Sequence, residues 1–256
     1  MPRLTPIFFS KTRTGPALIA AKNQTPLLDR PTQTPTARKA ALVLALLFPL
    51  LQGCAKVPPG VTGTGLRRLS VEMRVRGSIN LNNYYFFAFN AAEGAPTGPV
   101  PVVSPPWGNG WSAGSMTHFV RINASEPSFY GVYRVEDPKT LLTAAYIGRP
   151  IEYIDPRGGN ILRFVLDLDL LFPPDKPQPQ QITFNFITTD IVVTDPNWRG
   201  RKLVDGLGPT GTTFVTIPLQ HGRIFRNEDT SVPEEAGDVL DPDLDIVDWK
   251  IEVSLK

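Results

Sequence analysis

Acidic, imidazole and indole side chains are where chemistry would be expected in this sequence. Near the C-terminal end, Asp238, Asp241 and Asp243 follow Glu234 and Glu235 within ten positions, and Asp245 comes next. Carboxylate oxygens at alternate positions suit a hard cation, so these residues are read as a loose Ca²⁺ site built on Asp238, Asp241 and Asp243. An EF-hand does not fit, because Ile246 stands where that loop needs its tight-turning glycine, although Glu252 falls at the twelfth place. The segment Pro105-Pro106-Trp107-Gly108-Asn109-Gly110-Trp111 suggests a ligand platform: Trp107 and Trp111 could stack on a sugar ring with the Asn109 amide beside them. The plainer alternative is that both rings fold back and close one end of the fold. Two histidines, His118 and His221, lack the surrounding motifs of a hydrolytic triad or a zinc protease. Glu152, Asp155, Asp190 and Asp195 lie near expected strand ends, and Asp167 and Asp169 are two apart. Paired carboxylates across a cleft would serve glycoside hydrolysis, but these residues read equally well as solvated faces. No catalytic residue is assigned. The run Gly206-Leu207-Gly208-Pro209-Thr210-Gly211 lacks the Lys-Ser/Thr of a phosphate loop and reads as a turn.

The elements that would hold these residues are mostly strands. Leu69, Val71, Met73 and Val75 alternate with Ser70, Glu72, Arg74 and Arg76, the period of a strand with one wet face. Tyr84–Phe89 is aromatic on both faces, which predicts a covered, central strand. Thr117–Ile122 and Phe129–Val135 form a hairpin. The spacing predicts one long strand over Ile161–Phe172, with Asp167 and Asp169 on its solvent face. Further strands are expected over Gln181–Val193, Thr212–Leu219, His221–Arg226 and Asp245–Leu255. In the last, Ile246, Asp248, Lys250 and Glu252 alternate with Val247, Trp249, Ile251 and Val253. A short helix is expected over Asp137–Tyr146, which opens with a proline and continues with leucine and alanine. The expectation is all-β: a two-sheet antiparallel β-sandwich of nine to eleven strands with long Pro/Gly-rich loops and at most one or two short helices. The 27 Pro and 21 Gly argue against a helical bundle.

The chain's sole cysteine has a context of its own. Arg38 and Lys39 precede the apolar run Ala40–Leu51, which as a helix would span about 18 Å, short of the ~30 Å bilayer core. Basic residues, a short apolar stretch and small residues are the pattern of an export signal. The run closes on Leu51-Gln52-Gly53-Cys54, which resembles the lipobox of bacterial lipoproteins. The resemblance covers about residues 38–54. It implies cleavage between Gly53 and Cys54, diacylglycerol on the Cys54 thiol, and an acylated new N-terminus. Residues 1–37 are longer and richer in Pro and Thr than a compact leader. In that class Ala55, in place of an aspartate, favours the outer over the inner membrane.

The expected organisation is therefore an extension and signal over 1–53, a tether over 54–68 and a β-sandwich domain over 69–256. Removing 1–53 takes seven basic residues and one acidic residue from the 26 basic and 24 acidic of the whole chain, leaving 19 basic, 23 acidic and a net charge of −4. Such a domain has no bulk attraction for nucleic acid. The sequence points to a lipid-anchored envelope protein, held to the membrane through Cys54, with a binding or structural role toward a glycan or another envelope protein. The alternative is an exported hydrolase acting on carbohydrate. Apart from the Ca²⁺ reading, no cofactor is expected.

Overall fold

In the computed structural model the described residues are 67–92, 97–231 and 233–255. They belong to one unit, Val57–Lys256. Gly53 and Cys54 lie outside them. Two antiparallel sheets face one another. The first has the order β13-β14-β1-β9-β8, made of Arg223–Arg226, Ile246–Leu255, Arg67–Val75, Ile161–Asp167 and Glu152–Tyr153. The second has the order β11-β10-β2-β5-β6-β7, made of Val204–Gly206, Gln181–Thr189, Tyr84–Asn90, His118–Ile122, Tyr130–Val135 and Ala144–Gly148. A further strand, β12 (Val215–Pro218), also pairs with β10, and β3 (Pro99–Pro101) and β4 (Ser112–Gly114) make a separate ribbon. The expected two-sheet architecture is present. Among the described residues the strands outnumber the expectation because β3, β4 and β11 are three-residue strands, too short to display alternation, and because β7 stands where the sequence suggests a helix.

Alternation explains the main core. Leu69, Val71, Met73 and Val75 on β1 point inward with Leu162, Phe164 and Leu166 on β9 and Trp249, Ile251 and Val253 on β14. They meet Tyr85, Phe87 and Phe89 on β2 and Ile182, Phe184 and Phe186 on β10. Phe87 lies 6.0 Å from Phe164 across the interface, and Phe184 lies 5.2 Å from Trp249 at 83°. The outer face of the second sheet is dry as well. Phe86, Ala88, Phe119 and Ile187 are buried there beneath Trp111, Met116 and Leu141. β2 is thus central and covered on both faces, as its aromatic run implies.

Three local expectations are corrected. The strand expected over Ile161–Phe172 stops at Asp167, which is buried and whose carboxylate accepts the Asp169 N–H at 2.9 Å, capping a single helical turn, α1 (Leu168–Leu171). Asp167 and Asp169 therefore do not line a solvent strand face, and Asp169 pairs with Arg67 at 3.4 Å. No helix forms over 137–146. Asp137 accepts the Lys139 N–H and the Thr140 hydroxyl, Leu141 takes φ 57°, and the chain then enters β7. In β14 the register shifts: Arg74 faces Asp248 while Val75 faces Ile246. The extra residue, Val247, lets Ile246 turn inward beside Trp249 instead of outward with Asp248.

Double-sided burial of β2 sets an expectation. Phe86→Ala, on the outer face, should cost as much as Phe87→Ala on the inner face, about 3–5 kcal/mol each in denaturant unfolding. A loss below about 1 kcal/mol for Phe86→Ala would mean that the outer face is wet.

Candidate functional site

The tryptophan loop is part of the covering layer. Trp107 and Trp111 are 6% and 5% exposed. The Trp111 ring stacks on Phe86 at 3.8 Å and 6°, and Trp107 meets Trp198 edge-on at 5.3 Å. The Asn109 carboxamide oxygen accepts the N–H groups of Trp111 and Ser112 at 3.1 and 2.8 Å, so it shapes the turn. Gly110 has φ 89°, and a Cβ there would come within 2.5 Å of the Val193 carbonyl oxygen. The Lys202 ammonium donates to the carbonyls of Val102 and Gly110 at 2.7 and 2.8 Å, and its burial lowers its pKa to about 8. Trp111 covers the outer face of the second sheet, Trp107 packs in a separate cluster with Val102, Val193 and Trp198, and Asn109 shapes the turn between them, so the loop presents no exposed ring pair to a ligand.

His118 is buried, with its ring stacked on Phe89 at 5.4 Å and edge-on to Phe172. Nδ1 lies 3.0 Å from the Thr117 hydroxyl and Nε2 has no partner. Desolvation, and secondarily Arg134, lower its pKa to about 4. The other carboxylates singled out in the sequence are dispersed. Glu152 pairs with Arg68, Asp155 with Arg157, Asp190 accepts the Leu203 N–H and Asp195 accepts the Asn197 N–H.

The acidic C-terminal segment does build a site, with a changed membership. Asp241 and Asp243 leave it: Asp241 accepts the Asp243 N–H at 3.0 Å, and Asp243 accepts the Ser78 N–H at 2.8 Å. A Cβ on Gly77 would collide with Asp243, so the two loops meet at that glycine. Asp238 instead converges with Glu234 and with Asp205 of β11, one oxygen from each lying within 4.8 Å of the others. Asp205 is 2% exposed. Its two oxygens accept the Gly206 and Ile246 N–H groups at 2.8 and 2.7 Å, and the second of these bonds joins the two sheets. Glu234 is 5% exposed. Its Oε2 accepts the Gly208 N–H at 2.5 Å, while Oε1 is buried without a partner. The Asn227 carboxamide clamps the Glu234 backbone, accepting its N–H at 2.7 Å and donating to its carbonyl at 3.0 Å. Asp238 is exposed and forms the mouth of the cluster.

Desolvation, then neighbouring carboxylates, push the pKa of Asp205 up to about 7 and that of Glu234 up to about 8; backbone N–H groups partly offset both. Asp238 is raised by burial and by Asp245. Asp245, fully buried, pairs with Arg76 and accepts the Gly237 N–H. The cluster can hold protons or a hard cation. Acidic density in the sequence marks Asp238 and Glu234; Asp205, 29 residues before Glu234 and just ahead of the Gly206–Gly211 turn, carries no such signal.

A second feature is a cavity of about 270 Å³ whose lining includes Thr213, Val215 and Thr216 near or on β12, Phe225 on β13 and Trp249 on β14. Its lining draws on strands of both sheets. Comparison with protein-family models, curated proteins and solved structures gives no match to this chain.

The depressed His118 pKa has a definite sign. The unfolded chain takes up the proton near pH 6.5 and the folded chain only near pH 4, so stability is lost as pH falls through that window. Between pH 7 and pH 4.5 the wild type should lose about 2–3 kcal/mol more than His118→Phe in unfolding free energy. Equal losses would show that His118 titrates alike in both states.

Proposed function

We propose that the chain is a lipid-anchored bacterial envelope protein whose β-sandwich has a binding or structural role and not a catalytic one. The observation that carries this reading is the apolar run 40–51 ending in Leu51-Gln52-Gly53-Cys54, with the only cysteine at the acceptor position. Each buried acyl methylene contributes about 0.8 kcal/mol, and one chain gives only marginal attachment, so two or three chains on Cys54 would hold the domain firmly. The segment from Cys54 to the start of β1 at Arg67 reaches at most about 45 Å, which sets how far the sandwich stands from its anchor.

The non-catalytic half of the proposal is supported by how the carboxylates are used. Both oxygens of Asp205, one of Glu234 and both of Asp245 accept backbone N–H groups. Carboxylates in such positions fix loops. The cavity beside β12 and β13, with aromatic, hydroxyl and charged side chains in its lining, is the surface that suits a glycan or an envelope protein.

Mass spectrometry of the membrane-extracted protein tests the proposal. The expected product begins at an acylated Cys54, and Cys54→Ser moves the protein out of the membrane fraction. Residues 1–53 still attached in the cell, or an unmodified thiol on a freely soluble product, would contradict it.

A further inference from the structure

We infer that Asp205, Glu234 and Asp238 bind a calcium ion. One oxygen from each lies within 4.8 Å of the other two. Oxygens on opposite sides of calcium, each about 2.4 Å from it, stand about 4.8 Å apart. The three carboxylates can therefore come to a common ion with small side-chain shifts. Glu234 supplies a separate sign of a missing partner. The residue is 5% exposed, and Oε1 has no hydrogen-bond donor while Oε2 accepts the Gly208 N–H. A buried carboxylate oxygen without a partner is costly, and native structures rarely leave one unless an ion or water meets it.

The surrounding bonds position the ligands without exhausting them. A carboxylate oxygen that accepts one N–H keeps a further lone pair for a cation. Asp205 is fixed by Gly206 and Ile246, and Glu234 by Gly208 and the Asn227 clamp. Exposed Asp238 leaves one side of the site open to water, which completes the six to eight oxygens that calcium takes. Asp245 is occupied by Arg76 and the Gly237 N–H, and it adds negative charge beside the site.

The donor set decides the class of metal. It is all oxygen, without histidine or cysteine, which selects a hard cation over zinc or copper. Magnesium demands near-ideal octahedral ligands at about 2.0–2.1 Å, a contraction that carboxylates pinned to backbone N–H groups resist. Three protein carboxylates with an open side fit the weaker class of extracellular modules, with Kd of about 10⁻⁴–10⁻³ M. The ion would tie β11 to the loop over 233–238. The inference is independent of the lipid anchor and stands or falls on its own data.

The full chain, purified in detergent and stripped with EDTA, is titrated with CaCl2 and separately with MgCl2, with heat and thermal unfolding recorded. We expect one calcium site and a Tm rise of about 3–10 °C at 10 mM calcium, roughly tenfold to hundredfold over Kd. The response to magnesium should be at least tenfold weaker. Asp238→Asn, at an exposed position, should weaken calcium at least tenfold while leaving the Tm in EDTA within about 3 °C; Glu234→Gln should abolish binding. No heat and no Tm change up to 10 mM calcium would overturn the proposal, as would calcium binding retained in both variants. An equal response to magnesium would overturn the assignment to calcium.

Discussion

A buried carboxylate joins the two sheets of this sandwich. Asp205 sits on the edge strand β11 of the second sheet, and one of its oxygens accepts the Ile246 N–H at the start of β14 in the first. Around it other polar groups make similar crossings. The Thr188 hydroxyl on β10 donates to the Leu244 carbonyl at 2.5 Å, and the Tyr85 hydroxyl on β2 donates to the Asp243 carbonyl at 3.0 Å. Arg76, just past β1, pairs with Asp245. The segment from Gly237 to Ile246 is thus held by both sheets through directional bonds. Apolar packing between the sheets supplies most of the cohesion, but it is non-directional. These bonds fix where β14 enters the first sheet, and hence the register that places Ile246 and Trp249 inside.

The same bonds concentrate charge. Satisfying loop N–H groups with carboxylates brings Asp205, Glu234, Asp238 and Asp245 together, with Arg76 as their counter-ion. Like charges at short range in a dry setting must be neutralised by protons or by a cation. Burial first, and the neighbouring carboxylates after it, raise the pKa values of Asp205 and Glu234.

The regular strands are legible for two reasons. β1 and the first part of β9 bury every second residue, whereas β2 and β10 are buried on both faces and are marked by their density of aromatic and β-branched residues. Where the sequence misled, a local polar group had redirected the backbone. Period-two hydrophobicity continues through Leu168, Leu170 and Phe172, yet the Asp167 side chain captures the Asp169 N–H and winds a helical turn. Proline followed by leucine and alanine suggests a helix after Asp137, but that carboxylate closes a turn instead. The bulge at Val247 swaps the face of Ile246, which a strict alternation puts outside. The cluster was half legible: acidic density marked Asp238 and Glu234. Asp205 is hidden because its partners are distant in sequence, and of the neighbouring acids Asp241 closes a local turn while Asp243 holds the loop at Ser78.

The most direct measurement of the link between the sheets is amide hydrogen exchange at Ile246. With its N–H held by the buried Asp205 carboxylate, this amide should be protected to the level of the central amides of β1, exchanging only through global unfolding. In Asp205→Asn that protection should fall while β1 stays slow. Exchange of the Ile246 amide at the rate of exposed loops in the wild-type protein would contradict the account.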